Sequence, residues 1–188
     1  YDVNGDGIFN IADYLTVNPD LETEWDEKGN QNGLMDPGDL IRNCSDGVDD
    51  DGNGYTDDIS GWDTMWNDNN PYDDTRYGHG TGEARDSVAA GNDDHGDIGV
   101  CPECTLLNVR VGDSFVVDVN DFAAGVIYSV DSGAHVVQEA LGSINNTPYA
   151  QAAIEYAYQN NVTIIASAAD ELSFHHNVPG TNNHTVYV

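Results

Sequence analysis

A histidine framed by glycines, Tyr77-Gly78-His79-Gly80-Thr81-Gly82, is the residue in this sequence best suited to acid–base work. An imidazole titrates near neutral pH, so it can take a proton from a hydroxyl and return it to a leaving group. The flanking glycines let the backbone turn, and Glu83 to Ala90 has helical character. A second chemistry is cation binding. Residues 2–13 read Asp-Val-Asn-Gly-Asp-Gly-Ile-Phe-Asn-Ile-Ala-Asp, with oxygen side chains at loop positions 1, 3, 5, 9 and 12 and glycine at 6. Calcium wants roughly six to eight hard oxygen ligands, and a glycine permits the sharp turn that aims them inward. Asp2, Asn4, Asp6, the backbone carbonyl of Ile8, Asn10 and Asp13 would form such a shell.

Two later stretches repeat the idea. Asn30, Asn32, Asp36 and Asp39 alternate around Gly33, but Lys28 holds the first ligand position, so either Asp26 substitutes from a longer loop or the site is vacant. The third stretch converges Asp49, Asp51, Asn53, the Tyr55 carbonyl and Asp57 or Asp58, and polar loops carrying Asp63 and Asp68 follow directly. A solvated, turn-rich acidic surface is the competing reading. Against it, 20 of the 34 acids fall in residues 1–74, and that density opposes compaction unless cations neutralise it. Ca2+ is therefore the expected cofactor.

Five Lys and Arg against 34 acids leave a formal charge of −29, which excludes nucleic acid as a partner. A hydrophobic fraction of 39% with several uninterrupted apolar runs still supports a packed core. No apolar run approaches the roughly 18 residues that a membrane span needs. The chain opens on Tyr1 with no leader features and stops inside the strand-like Thr185-Val186-Tyr187-Val188, so both ends read as cut from something longer. Cys44, Cys101 and Cys104 are too few for a disulfide scaffold. Cys101 and Cys104 form a local disulfide or remain two free thiols.

The elements that must position these groups lie mostly after residue 80. Leu106 to Val111, Val136 to Leu141 and Val162 to Ala169 read as short buried strands. Between them, Val119 to Ser132 and Thr147 to Asn160 have helical spacing, with Phe122, Val126, Ile127 and Val130 on one apolar face and Ala150, Ala153, Ile154, Ala157 and Tyr158 on the other. Asn120, or Asn146 and Thr147, would cap the helices, and Pro148 suits a first turn. Strands alternating with helices predict an α/β fold with a parallel doubly wound sheet, preceded by an irregular calcium-loop region. Sites in such sheets gather at the carboxyl ends of the strands.

Asp-Asp-Asp-Gly-Asn-Gly-Tyr (49–55), Gly-Trp-Asp (61–63), Gly-His-Gly-Thr (78–81), Gly-Val-Cys-Pro (99–102), Ala-Leu-Gly-Ser (140–143) and Ala-Ser-Ala-Ala-Asp (166–170) occur in an order that resembles subtilisin-like serine peptidases. The resemblance covers about 46–188 as a partial catalytic domain. Residues 1–45 would be a calcium-loop-rich insertion or extension, whose first loop resembles dockerin and EF-hand loops. The resemblance implies that His79 is the general base and acid of a Ser-His-Asp triad. It implies that Ala140, Leu141, Gly142 and Ser143 form a strand edge that pairs with substrate backbone. Asp170 stands where the family has an oxyanion-hole asparagine; only protonated could it donate there. No Gly-Thr-Ser nucleophile motif occurs in the chain and no apolar-Asp-Ser/Thr-Gly motif precedes His79, so one triad member of three is present and the chain alone is expected to be inactive.

The parent protein is thus expected to be a secreted, calcium-stabilised endopeptidase acting on proteins or peptides. The missing remainder of the domain, or another chain, is expected to cover its open sheet. The alternative is a non-catalytic extracellular calcium-binding structural or assembly subunit on the same scaffold. His175 and His176, adjacent in a loop beyond Asp170 and Glu171, read more readily as loop residues than as a metal or acid–base cluster.

Overall fold

The structure is a computed structural model that describes residues 29, 31, 37–92, 96–169 and 177–188. The calcium candidates Asp2, Asn4, Asp6, Ile8, Asn10, Asp13, Asn30, Asn32 and Asp36 lie outside the described residues, as do Asp170, Glu171, His175 and His176. The chain divides into two compact units, residues 1–61 with 81–106, and residues 62–80 with 107–188.

In the first unit, helix α1 (Pro37–Cys44) opens on a proline, whose missing N–H costs nothing in a first turn. Its Asp39 and Leu40 are buried. Arg42 donates from Nη1 to the Gly29 carbonyl at 3.1 Å, and Ser60 Oγ donates to the Pro37 carbonyl at 3.2 Å. The segment 99–101 is laced to the chain around 86–89: Gly99 N–H donates to the Ala89 carbonyl at 2.9 Å, and Cys101 N–H to that of Ser87 at 2.8 Å. A Cβ on Gly99 would overlap the backbone of Val88 and Ala89, so only glycine allows this approach. Cys101 and Cys104 form a disulfide, which resolves the two readings of that pair.

The second unit holds the parallel α/β layer. Strand β1 (Trp62–Asp63) pairs in parallel with β2 (Val109–Arg110). Strands β3 (Val136–Glu139), β4 (Thr163–Ala166) and β5 (Thr185–Tyr187) form a second parallel sheet in the order β3-β4-β5, with Val136 opposite Thr163 and Ile164 opposite Thr185. Helix α3 (Val119–Asp131) connects β2 to β3, and helix α4 (Pro148–Gln159) connects β3 to β4. Helix α2 (His79–Val88) runs from this unit into the first.

Phe122, Val126, Ala153, Ile154, Ala157 and Ile164 are buried in one core cluster, with Ile127 and Val130 packed against it. Full burial of each large apolar side chain stabilises by about 1.5–3 kcal/mol. The boundaries of α3 and α4 agree with the sequence to within a residue, whereas α2 begins at His79 rather than Glu83 and α1 was not expected; the strands are shorter than expected. Of the 106–111 run only Val109 and Arg110 pair, and Leu106 is exposed. The 136–141 run is not fully buried either: Val136 is exposed, and the buried residue of β3 is its one acid, Glu139.

Two side-chain assignments change. Asp118, not Asn120, caps α3 by accepting from Asn120 N–H at 2.8 Å; Asn120 Oδ1 instead accepts from the hydroxyl of Thr147, the cap of α4. Tyr158 leaves the core face and stacks on His184 with ring centroids 3.8 Å apart.

Candidate active site

His79 is the first residue of α2 and follows Gly78, whose φ of +65° is a left-handed turn that glycine adopts without strain. The imidazole stacks on Tyr77 at 5.8 Å between centroids, and Phe115 leans on it at 5.6 Å. Tyr77 and Phe115 are exposed, so this aromatic cluster faces solvent.

The loop between β1 and His79 is held by ion pairing. Asp63, almost fully buried, accepts from Met65 and Trp66 N–H on Oδ1 at 2.8 and 3.0 Å and receives Arg110 Nη1 on Oδ2 at 2.6 Å. Arg110 Nη2 also reaches Asp74 at 2.9 Å and Asp113 at 2.5 Å. One guanidinium therefore joins the end of β1, the approach to His79 and the turn after β2. A buried pair of this kind stabilises little against an apolar replacement, but losing one partner strands the other charge. Sequence reading passed over Arg110; a lone basic residue in a strand of so acidic a chain was its signal.

The segment beyond β3 is bonded on both flanks at Gly142 and Ser143. Gly142 N–H donates to the Phe115 carbonyl at 2.9 Å and the Gly142 carbonyl accepts from Val117 N–H at 2.9 Å, with Val116 and Gly142 bridged in parallel. Ser143 and Val178 exchange both backbone bonds, at 2.7 and 3.2 Å. Asn177, also buried, donates from Nδ2 to the Leu141 carbonyl at 3.0 Å and to that of Ser167 at 2.7 Å. Its carboxamide lies on the Cα of Gly142, where a Cβ would overlap it. Just before this segment, neither carboxyl oxygen of Glu139 has a hydrogen-bond partner of normal geometry. Burial pushes its pKa up to about 9, and the nearby Leu141 backbone offsets only part of that.

The acidic residues described do not assemble as a cation cage. Among the described residues no three His, Cys, Asp or Glu side chains group as a metal site requires. Asp63, one of the calcium candidates, carries the Arg110 guanidinium on Oδ2. Asp68 Oδ1 accepts from Asn70 N–H at 3.0 Å while its backbone pairs with Asp63. In the third loop Asp49 accepts from Gly52 and Gly54 N–H, both at 2.8 Å, and Asp51 from Asn53 N–H at 3.0 Å. Asp57 takes Asp46 and Gly47 N–H, and Asn53 aims its Nδ2 at Asp58. These oxygens close turns on their own backbone. Asp39 is buried within α1.

Residues 16–187 match the family model described as the Subtilase family. Thermitase of Thermoactinomyces vulgaris is 30% identical over 131 residues, covering 69% of this chain and 46% of that protein. The major intracellular serine protease of Bacillus subtilis is 31% identical over 123 residues, 64% of this chain and 36% of that one. The chain thus spans less than half the length of these curated relatives. A mutant of the protease domain of PatA shares the fold with TM-score 0.55 at 23% identity, over 63% of this chain and 45% of that one.

Proposed function

Because the chain belongs to the subtilase family, we propose that it is the histidine-bearing part of a serine endopeptidase, with 46–188 as part of the catalytic domain. The carrying observation is Phe115, whose ring leans on His79 while its carbonyl holds Gly142 N–H. One residue thereby touches both the general base and the candidate substrate edge. In the reaction His79 takes the proton of a serine hydroxyl as that oxygen attacks the peptide carbonyl, and returns it to the departing amine. The serine and the aspartate would come from outside these residues. Relatives bearing protease names favour this over a non-catalytic scaffold.

Asp170 would assist the oxyanion only when protonated, so Asp170→Asn in the parent protein should raise kcat, by up to about 10²-fold. Calcium enters this reading through the spacing of residues 2–13. An extracellular location is supported by the Cys101–Cys104 disulfide, since such bonds persist in oxidising compartments; the name of the Bacillus subtilis relative points the other way for that protein.

The test is covalent labelling of the parent protein by a fluorophosphonate. Labelling should occur and be lost in His79→Ala, whereas the isolated chain should show no turnover. Labelling undiminished in the variant would remove His79 from the mechanism.

A further inference from the structure

The exposed side of α4 carries a second set of groups suited to chemistry. A cavity of about 350 Å3 opens there, lined by Gln151, Glu155, Thr181, Asn182, Asn183 and His184, all of them polar. Gln151 and Glu155 stand one helical turn apart on the same face of α4, and His184 immediately precedes β5. Glu155 and His184 are each held by a neighbour. The His184 ring stacks on Tyr158 with centroids 3.8 Å apart. Glu155 Oε1 accepts from Gln159 Nε2 at 2.8 Å, and its Oε2 faces His184 Nε2 at 3.4 Å.

That last separation is informative. A charge-assisted N–H···O bond closes to about 2.7–2.9 Å, and this pair stands wider. Tetrahedral zinc holds an imidazole nitrogen at about 2.0–2.1 Å and a carboxylate oxygen at about 2.0–2.2 Å, which sets the two ligand atoms about 3.4 Å from each other. The same cavity offers more than the pair. Gln151 lines it with a carboxamide, an oxygen donor outside the His, Cys, Asp and Glu types. Asn182 Nδ2, buried and without an acceptor, lines it too and is a donor for a water held by an ion. An imidazole among oxygen ligands selects a late first-row divalent cation over Ca2+ or Mg2+.

We propose that His184 and Glu155 form a zinc-class divalent cation site that pins the start of β5 to α4, with Gln151 and water completing the shell. The site does not depend on the peptidase reading. Because the ion joins two elements that only the fold brings together, it stabilises the folded layer in proportion to its free concentration.

The experiment titrates Zn2+ into the 188-residue chain, His184→Gln and Glu155→Gln while heteronuclear NMR follows the imidazole nitrogens. Melting temperatures are read in parallel. Both side chains are partly open to solvent, at 36% and 48%, so the substitutions leave the core alone. Zn2+ should move the His184 Nε2 resonance. The midpoint at His184 should rise more than about tenfold in Glu155→Gln, since loss of even a supporting partner costs about 10–100-fold in metal affinity. The Zn2+-dependent rise in melting temperature should shrink in both variants, and equimolar Ca2+ should leave the His184 signal in place. His175 and His176, adjacent in sequence, offer Zn2+ a rival that the residue-resolved signal separates. A His184 resonance that stays put while Zn2+ saturates another histidine overturns the site. An unchanged midpoint in Glu155→Gln reduces it to a lone imidazole and overturns it as well. Displacement of Zn2+ by equimolar Ca2+ overturns the class of ion.

Discussion

The acidic loop 46–58 and the α3–α4 layer solve the same problem with opposite materials. The layer excludes water: Phe122, Val126 and Ile154 leave the solvent almost completely, and backbone polar groups are consumed by helices and parallel strands. The loop stays wet, and Asp46, Asp49, Asp51 and Asp57 each satisfy a nearby backbone donor, Asp57 for Asp46 and Gly47, Asp49 for Gly52 and Gly54. Apolar periodicity therefore specifies a place in the fold. Alternating carboxylates specify only that donors will be met, and they do not distinguish a cation from the chain's own N–H groups.

The comparison breaks most easily in the layer. Ile154→Ala and Phe122→Ala should each lower unfolding free energy by about 3–5 kcal/mol in chemical denaturation; a cost below 1 kcal/mol would mean that the core lies elsewhere. Next comes Glu139, the acid that the layer encloses. Its folded pKa of about 9 lies above the ordinary 4.5, so the unfolded chain releases the proton first. The contribution is therefore fully present below pH 4.5 and is lost as pH rises toward 9. Between pH 5 and 8 the loss should reach up to about 4 kcal/mol, and Glu139→Gln should flatten that slope. An identical pH profile in the variant would show that Glu139 is paired.

Calcium gives a smaller effect and separates the loops. At about 100 times Kd it should stabilise by about 3 kcal/mol through residues 2–13. That gain should vanish in Asp6→Ala and survive in Asp51→Ala. A melting temperature unmoved by EDTA would remove calcium altogether, and a gain lost in Asp51→Ala would return it to the third loop. Smallest is Asp57→Ala, about 1 kcal/mol, for two exposed backbone donors handed back to water; an effect near 3 kcal/mol would mean that the loop supports more than itself.

Helices α3 and α4 and the Gly-His-Gly-Thr motif were legible because each depends on local spacing. Phe122 and Ile154 announce their faces within a few residues, and Thr147 with Pro148 announces a helix start. What stayed hidden depends on partners far along the chain. Nothing near Arg110 says that Asp63 and Asp74 meet it, from 47 and 36 residues away. Glu139 reads as the polar end of an apolar strand, and only packing shows that it is enclosed. The Ala-Leu-Gly-Ser motif lies beyond the end of β3, and nothing in it says that Phe115 and Val117 bond to the backbone of Gly142.

The contact between Gly142 and Asn177 has a consequence for descent. Because a single methyl at 142 would land on the carboxamide at 177, position 142 cannot gain a side chain by itself. A lineage that places a side chain at 142 must first shorten 177, and the shortened residue gives up the donor that joins Leu141 to Ser167. A side chain at 142 therefore costs the molecule a tie between two loops as well as a contact.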